Sequence, residues 1–275
     1  MIRKVLFIDI NVLKQIQQKN KQIINKIDKY NTLVSIWLPL YETIIFHKDI
    51  NKVKESLLKN SKILNNTLKK SKHDANFFLE YEELLKDVFE NILYNDTLQN
   101  YMYFLKKVLP MVALQKKIFE IPNAIDKMIN IASEYNIQLT HPVFIIPLSI
   151  LLGNNSYRKL LKPSQSIDNE KISNIINDIL TLSRLELFKN IVRNHPTHLT
   201  KPIIKFITLD KHLETFLKEY HVNYSSLIES VTLININISL DLFPILNDKK
   251  LTINKKLKNT IEKKLQKIFI SQTPP

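Results

Sequence analysis

The chain has no cysteine and a single glycine, Gly153, among its 275 residues. The first absence excludes disulfides, thiolate metal sites and cysteine nucleophiles, and fits an intracellular protein. The second excludes every phosphate-cradling loop that depends on glycine: neither G-x-G-x-x-G nor a P-loop can be written, so dinucleotide enzymes and P-loop NTPases are not expected. The N-terminus lacks the basic, apolar and small-residue succession of a secretory signal. No apolar run approaches the roughly 18 residues of a spanning helix. These features predict a cytoplasmic protein with no membrane association.

Hydrophobic residues make up 44% of the sequence, enough for a substantial core in one large domain or in a domain with a sizeable insertion. Lys and Arg outnumber Asp and Glu by 40 to 26, a formal charge of +14. Such an excess points to an anionic partner such as RNA. Abundant Lys, Asn and Ile throughout also fit an A+T-rich coding bias with solvated lysines, and the two readings stand side by side.

Two short apolar runs organise the rest. Val5 to Ile8 ends at Asp9, and Ile203 to Leu209 ends at Asp210; each leads into a helix-like segment. If both are parallel strands, their carboxylates emerge at the carboxyl edge of one sheet, where open α/β sheets bind ligands. A hard divalent cation is the natural occupant of converging carboxylates. Either aspartate can equally serve as the N-cap of the helix that follows it.

Between and beyond these runs, a helix is predicted from Val12 to Lys29 with Asn11 as cap, then an extended segment from Thr32 to Leu38, then a helix opened by Pro39 and carrying Glu42. Residues 49 to 134 repeat apolar positions three and four apart, as helices do. Pro142 to Leu152 reads as a short buried helix begun by Pro147 or as irregular core. A helix is expected from Ile172 to Val192 with Asp178 near its beginning, a strand or strand pair from Val231 to Leu242, and a lysine-rich helix from Asn254 to Phe269. Phe77, Phe78, Tyr81, Phe89, Tyr101, Tyr103 and Phe104 fall at helical spacing, which favours core over a base-stacking platform. His195 and His198 lack helical spacing and a third ligand, and read as loop.

Four of these segments together resemble the PIN domain family. Phe7-Ile8-Asp9-Ile10-Asn11-Val12-Leu13 resembles the family's opening strand and Asp-Thr-Asn-Val-Leu turn, with Ile10 in place of the usual hydroxyl residue. Leu38-Pro39-Leu40-Tyr41-Glu42-Thr43-Ile44 is similar to its glutamate-bearing helix. Asn177-Asp178-Ile179-Leu180 is similar to the helix start with the third acid, and Ile207-Thr208-Leu209-Asp210 to the strand end with the fourth. The resemblance covers the two ends of the chain and leaves residues 50 to 170 unmatched.

The resemblance implies a PIN-like three-layer α/β fold with a mainly parallel central sheet. Residues 1–48 and 171–275 would form the nuclease core, and 49–170 a mostly helical insertion. It further implies a metal-dependent endoribonuclease in which Asp9, Glu42, Asp178 and Asp210 hold Mg²⁺ or Mn²⁺. Asn11 and Thr208 would orient those carboxylates. Apart from the resemblance, the basic cluster Lys69, Lys70 and Lys72, with Lys211, could contact nucleic acid, though a charged solvent face is the ordinary reading of such lysines. Toxin or defence roles and an inhibitor or antitoxin partner follow from the same likeness; a homo-oligomer is a further expectation. The alternatives are a non-catalytic binding or scaffold protein and a structure-specific DNA nuclease.

Overall fold

In the computed structural model, residues 2–93, 96–114, 116–194, 202–214, 222–228, 231–236, 243–247 and 254–270 are described. The architecture is mixed α/β, with a four-stranded, wholly parallel sheet and a separate two-stranded antiparallel ribbon. The chain divides into two compact units, one formed by residues 1–95 and 181–214, the other by 96–180 and 215–275.

The first unit holds the parallel sheet. Strand β1 (Lys4–Ile8) lies between β2 (Thr32–Ser35) and β4 (Ile203–Ile207), and β3 (Lys72–His73) adds to the far side of β2. Lys4 pairs with both Thr32 and Ile203, so all the strands start at one edge. Val5, Leu6, Phe7 and Ile8 are all buried, as expected of a strand covered on both faces. Each contributes about 1.5–3 kcal/mol through removal from water. The order β3-β2-β1-β4 means that the chain steps from β1 to β2 to β3 in one direction and then adds β4 on the opposite side of β1. The crevice outside the carboxyl ends of β1 and β4 is therefore a topological switch point.

Helices α1 (Ile10–Gln17) and α2 (Lys21–Ile27) replace the single helix expected over 12–29. Lys19 takes a left-handed conformation with φ of 55°, and the Asn20 side chain then accepts hydrogen bonds from Gln22 and Ile23 N–H, capping a new helix. The cap of α1 is Asp9, whereas Asn11 stands exposed in its first turn. Helix α3 (Trp37–His47) begins two residues before Pro39 and carries Glu42, and α4 (Ile50–Thr67), α5 (Ala75–Glu80) and α6 (Glu82–Leu93) follow. β3 falls inside the stretch 49–170 expected to be helical insertion, and residues 49–95 belong to the sheet unit. Two residues, Lys and His, form this strand, so no apolar run announced it.

The second unit is built from α7 (Asp96–Ala113), α8 (Ile121–Glu134), α9 (Pro142–Leu151), α10 (Asn155–Leu161), the first part of α11 (Asn169–Asn194), the ribbon β5 (Val222–Ile228) and β6 (Val231–Ile236), and a C-terminal helix (Lys255–Ile270). Every residue of α9 is buried. This helix opens at Pro142, not Pro147: proline is tolerated in the first turn, where its missing N–H has no partner to lose. His141 caps it, with Nδ1 accepting the Val143 N–H at 3.1 Å. Its Nε2 lies 3.0 Å from Tyr101 Oη, and the two rings stack 4.5 Å apart. An acceptor role for Nδ1 leaves the proton on Nε2, which donates to the phenol. Burial holds the imidazole neutral, pushing its pKa down to about 3, and raises that of Tyr101 to about 12. Gly153 ends α9 with φ of 94°, a conformation suited to glycine. Of the strand expected over 231–242, residues 231–236 form β6; residues 237–242 and the histidine loop 195–198 lie outside the described residues.

Candidate functional site

The site is built from the strand ends upward. Asp9 follows β1 and Thr208 follows β4, and the pairing of Ile8 with Ile207 brings the two side by side. Asp9 Oδ1 accepts the Val12 N–H at 2.7 Å, which starts α1, and Oδ2 accepts the Thr208 hydroxyl at 2.5 Å. The Thr208 oxygen accepts in turn from the Asp210 N–H at 3.0 Å. One hydroxyl thus joins the first aspartate to the backbone of the second across 199 residues of sequence. Asp210 Oδ1 accepts from His212 and Leu213 N–H, at 2.7 and 3.0 Å, capping the helical turn of residues 211–214.

Asp9 is 5% exposed. Desolvation raises its pKa above the usual carboxylate value, outweighing the hydrogen bonds from Thr208 and from the Val12, Leu209 and Asn11 amides that favour the charged form. Such a group gains from a nearby positive charge.

Glu42 is in a different electrostatic state. It stands half-buried on α3, beside the buried Arg184, whose guanidinium lies 4.5 Å over the Tyr41 ring. Burial pushes the Arg184 pKa down to about 10, while Tyr41 and Glu42 act to keep its charge. Sequence reasoning missed Arg184, because one arginine in a long amphipathic helix reads as surface. It also missed Asp74, which follows β3 as Asp9 follows β1. Asp74 Oδ1 accepts the Ile36 N–H at 2.9 Å, its carboxylate also bonds Ser35, and burial pushes its pKa up to about 6. The strand-then-aspartate pattern was the available signal, hidden by the brevity of β3.

The structure brings Asp9, Thr208 and Asp210 together. Glu42 shares their unit, on a helix paired electrostatically with Arg184. Asp178 is half-buried on the part of α11 that belongs to the second unit. Among the described residues, no group of three or more His, Cys, Asp or Glu side chains is arranged to hold a metal ion. Mg²⁺, however, is commonly bound by one or two carboxylates with waters and substrate phosphates completing its shell. The Thr208 hydroxyl links the Asp9 carboxylate to the Asp210 backbone, while the Asp210 carboxylate itself caps the turn that follows.

Exposed Lys211 follows Asp210 at the carboxyl edge, while Lys69, Lys70 and Lys72 precede or begin β3, at the opposite edge of the sheet. Of the aromatic series, Phe78, Phe89 and Phe104 are core, whereas Phe77, Tyr81 and Tyr103 are about half exposed. Among the described residues, no helix is long and apolar enough to cross a membrane. No protein-family model, no curated protein and no solved structure matches this chain.

Proposed function

We propose that this protein is a metal-dependent endoribonuclease that hydrolyses RNA phosphodiester bonds at the carboxyl edge of β1 and β4. The observation that supports this most is the buried Asp9 carboxylate, raised in pKa and linked through Thr208 to Asp210 at the switch point of a parallel sheet. In this reading Asp9 and Asp210 hold Mg²⁺ or Mn²⁺, while Glu42 balances the Arg184 charge. The bound ion would supply Lewis acidity toward the scissile phosphate. The chain's own contribution is positional. The Thr208 hydroxyl fixes Asp9 Oδ2, the Val12 amide fixes Oδ1, and Lys211 adds positive charge where a phosphate would arrive. Toxin or defence activity restrained by an inhibitor protein fits a nuclease of this type.

A second reading has its own support. Both aspartates already cap helices, and Glu42 has Arg184 for a cation. A non-catalytic scaffold would keep these contacts for stability alone. Cleavage of labelled single-stranded RNA and of branched DNA in Mg²⁺ and Mn²⁺, with calorimetric metal titration, separates the two. The nuclease reading expects RNA cleavage and metal binding in the wild type, both lost in Asp9→Asn. Absence of both in the wild type, or metal binding unchanged in Asp9→Asn, overturns it.

A further inference from the structure

At the opposite edge of the sheet, the turn before β3 is tied to the turn before β2 by one carboxylate. Asp28 Oδ1 accepts from the Lys70 N–H, the Ser71 N–H and the Ser71 hydroxyl at 2.8 to 3.0 Å, and Oδ2 accepts from the Lys69 N–H at 3.0 Å. Desolvation opposes the charge on Asp28, yet these donors hold its pKa below the usual value. The negative charge is consumed within the turn.

What the clamp presents is basic and aromatic. The Lys70 ammonium lies 5.6 Å from the centre of the Tyr30 ring, which is 74% exposed. Lys29, Lys69, Lys70 and Lys72 are all exposed. Tyr30 is followed by Asn31, whose φ of 56° is left-handed and whose carbonyl accepts from the Arg3 and Lys4 N–H groups at the start of β1. The ring is therefore carried on backbone anchored to the central strand. An open aromatic face set among cations is the combination that binds single-stranded nucleic acid: bases stack on the ring while ammonium groups follow the phosphates.

We infer that Tyr30 and the lysines of the clamped turn, Lys69, Lys70 and Lys72, form a docking platform for single-stranded RNA, separated by the length of the sheet from Asp9 and Asp210. This rests on the endoribonuclease reading for the identity of the polymer. It adds to that reading a second contact, at the amino edge of the strands. A strand of five residues spans roughly 17 Å, so RNA engaging both edges must be long enough to pass along the sheet. Short oligonucleotides lose that contact.

The test is binding of an unstructured, end-labelled RNA of about 16 nucleotides, the upper site size of one such platform, measured by fluorescence anisotropy across a salt series without divalent cation. Tyr30→Ala is expected to raise Kd about fivefold or more, and Tyr30→Phe to restore it, because stacking needs the ring and not the hydroxyl. Lys70→Gln is expected to lower the slope of log K against log salt by about one. Both side chains are exposed, so these substitutions leave the core intact. Wild-type affinity and salt slope in Tyr30→Ala and Lys70→Gln would overturn the assignment. So would an absence of RNA binding by the wild type, or loss of binding to phosphatidylserine vesicles in these variants with RNA binding unchanged. If Asp9→Asn abolishes no activity because none exists, while RNA binding still depends on Tyr30, the catalytic reading falls and the platform stands.

Discussion

Thr208→Val removes one hydroxyl from the candidate site and nothing else of comparable size. The two side chains share their branching and nearly their volume, so no cavity opens, and the cost falls on the hydrogen bonds. Asp9 loses the donor to Oδ2, and the Asp210 N–H loses its acceptor. A hydrogen bond to a charged group is worth about 1.5–3 kcal/mol. The Asp210 amide, only partly buried, can turn to water and adds little. The expected destabilisation at neutral pH is therefore about 1.5–3 kcal/mol, or a fall in Tm of roughly 3–12 °C for a chain of this size. The effect carries a pH signature. Burial already raises the Asp9 pKa, and the Thr208 donor is foremost among the bonds opposing that rise. Without it the pKa climbs further. When Asp9 is protonated, the lost bond is a neutral one worth about 0.5–1.5 kcal/mol. The stability gap between wild type and variant should therefore be widest at pH 7 and narrow as pH falls through the Asp9 titration. Thermal unfolding followed by circular dichroism at several pH values measures the gap, with Thr208→Ser as the variant that keeps the hydroxyl. A shift below about 1 °C at pH 7, or a gap that does not change with pH, would refute the account of Asp9 as a charged group held by Thr208.

Asp9→Asn should unfold within about 1 kcal/mol of the wild type, because relief from burying a charge offsets the weaker bonds, yet should lose RNA cleavage and metal binding; a large stability loss in chemical denaturation would contradict the raised pKa. His141 is depressed to about 3 in the folded protein and near 6.5 when unfolded, so its stabilisation is complete well above pH 6.5 and declines as pH falls toward 3, by about 0.7 kcal/mol per unit at pH 6.5 and approaching about 1.4 kcal/mol per unit a unit or more below it. His141→Asn, which keeps an acceptor for the Val143 N–H, should flatten that slope between pH 7.5 and 5.5, and an unchanged slope would assign it to other groups. Gly153→Ala should cost about 1–2 kcal/mol by backbone strain, since an added Cβ would meet only Ile245 at ordinary contact distances of 3.7 and 3.9 Å while φ stays at 94°; equal stability of the variant in urea would remove that explanation.

The parallel sheet was legible where apolar runs made it so. Val5 to Ile8 and Ile203 to Ile207 became adjacent strands, and the aspartates after them emerged at one edge; the first run is buried on both faces, whereas the second is partly exposed, so its apolar run announced a strand but not its exposure. β3 escaped because two residues cannot show periodicity. The break at Lys19 and Asn20 escaped because the helical spacing of apolar residues continues across it. The second aspartate's neighbourhood was only half legible: Thr208 was picked out beside Asp210, but its bond to Asp9 depends on β4 lying next to β1, a fact of topology. Arg184 was invisible for a related reason. A buried cation is identified by what surrounds it, and Tyr41 and Glu42 lie far away in sequence.

Glu42 and Asp9 show why the acids of one unit need not share one role. Glu42 has a fixed cation at hand, so its charge is balanced inside the protein, and burial of Arg184 would be costly without it. Asp9 has hydrogen-bond donors but a raised pKa, which means that dipoles alone do not balance its desolvation. A cation arriving from solution would relieve that desolvation at Asp9 and has no such opening at Glu42, so the metal proposal is tested at Asp9 and not at Glu42.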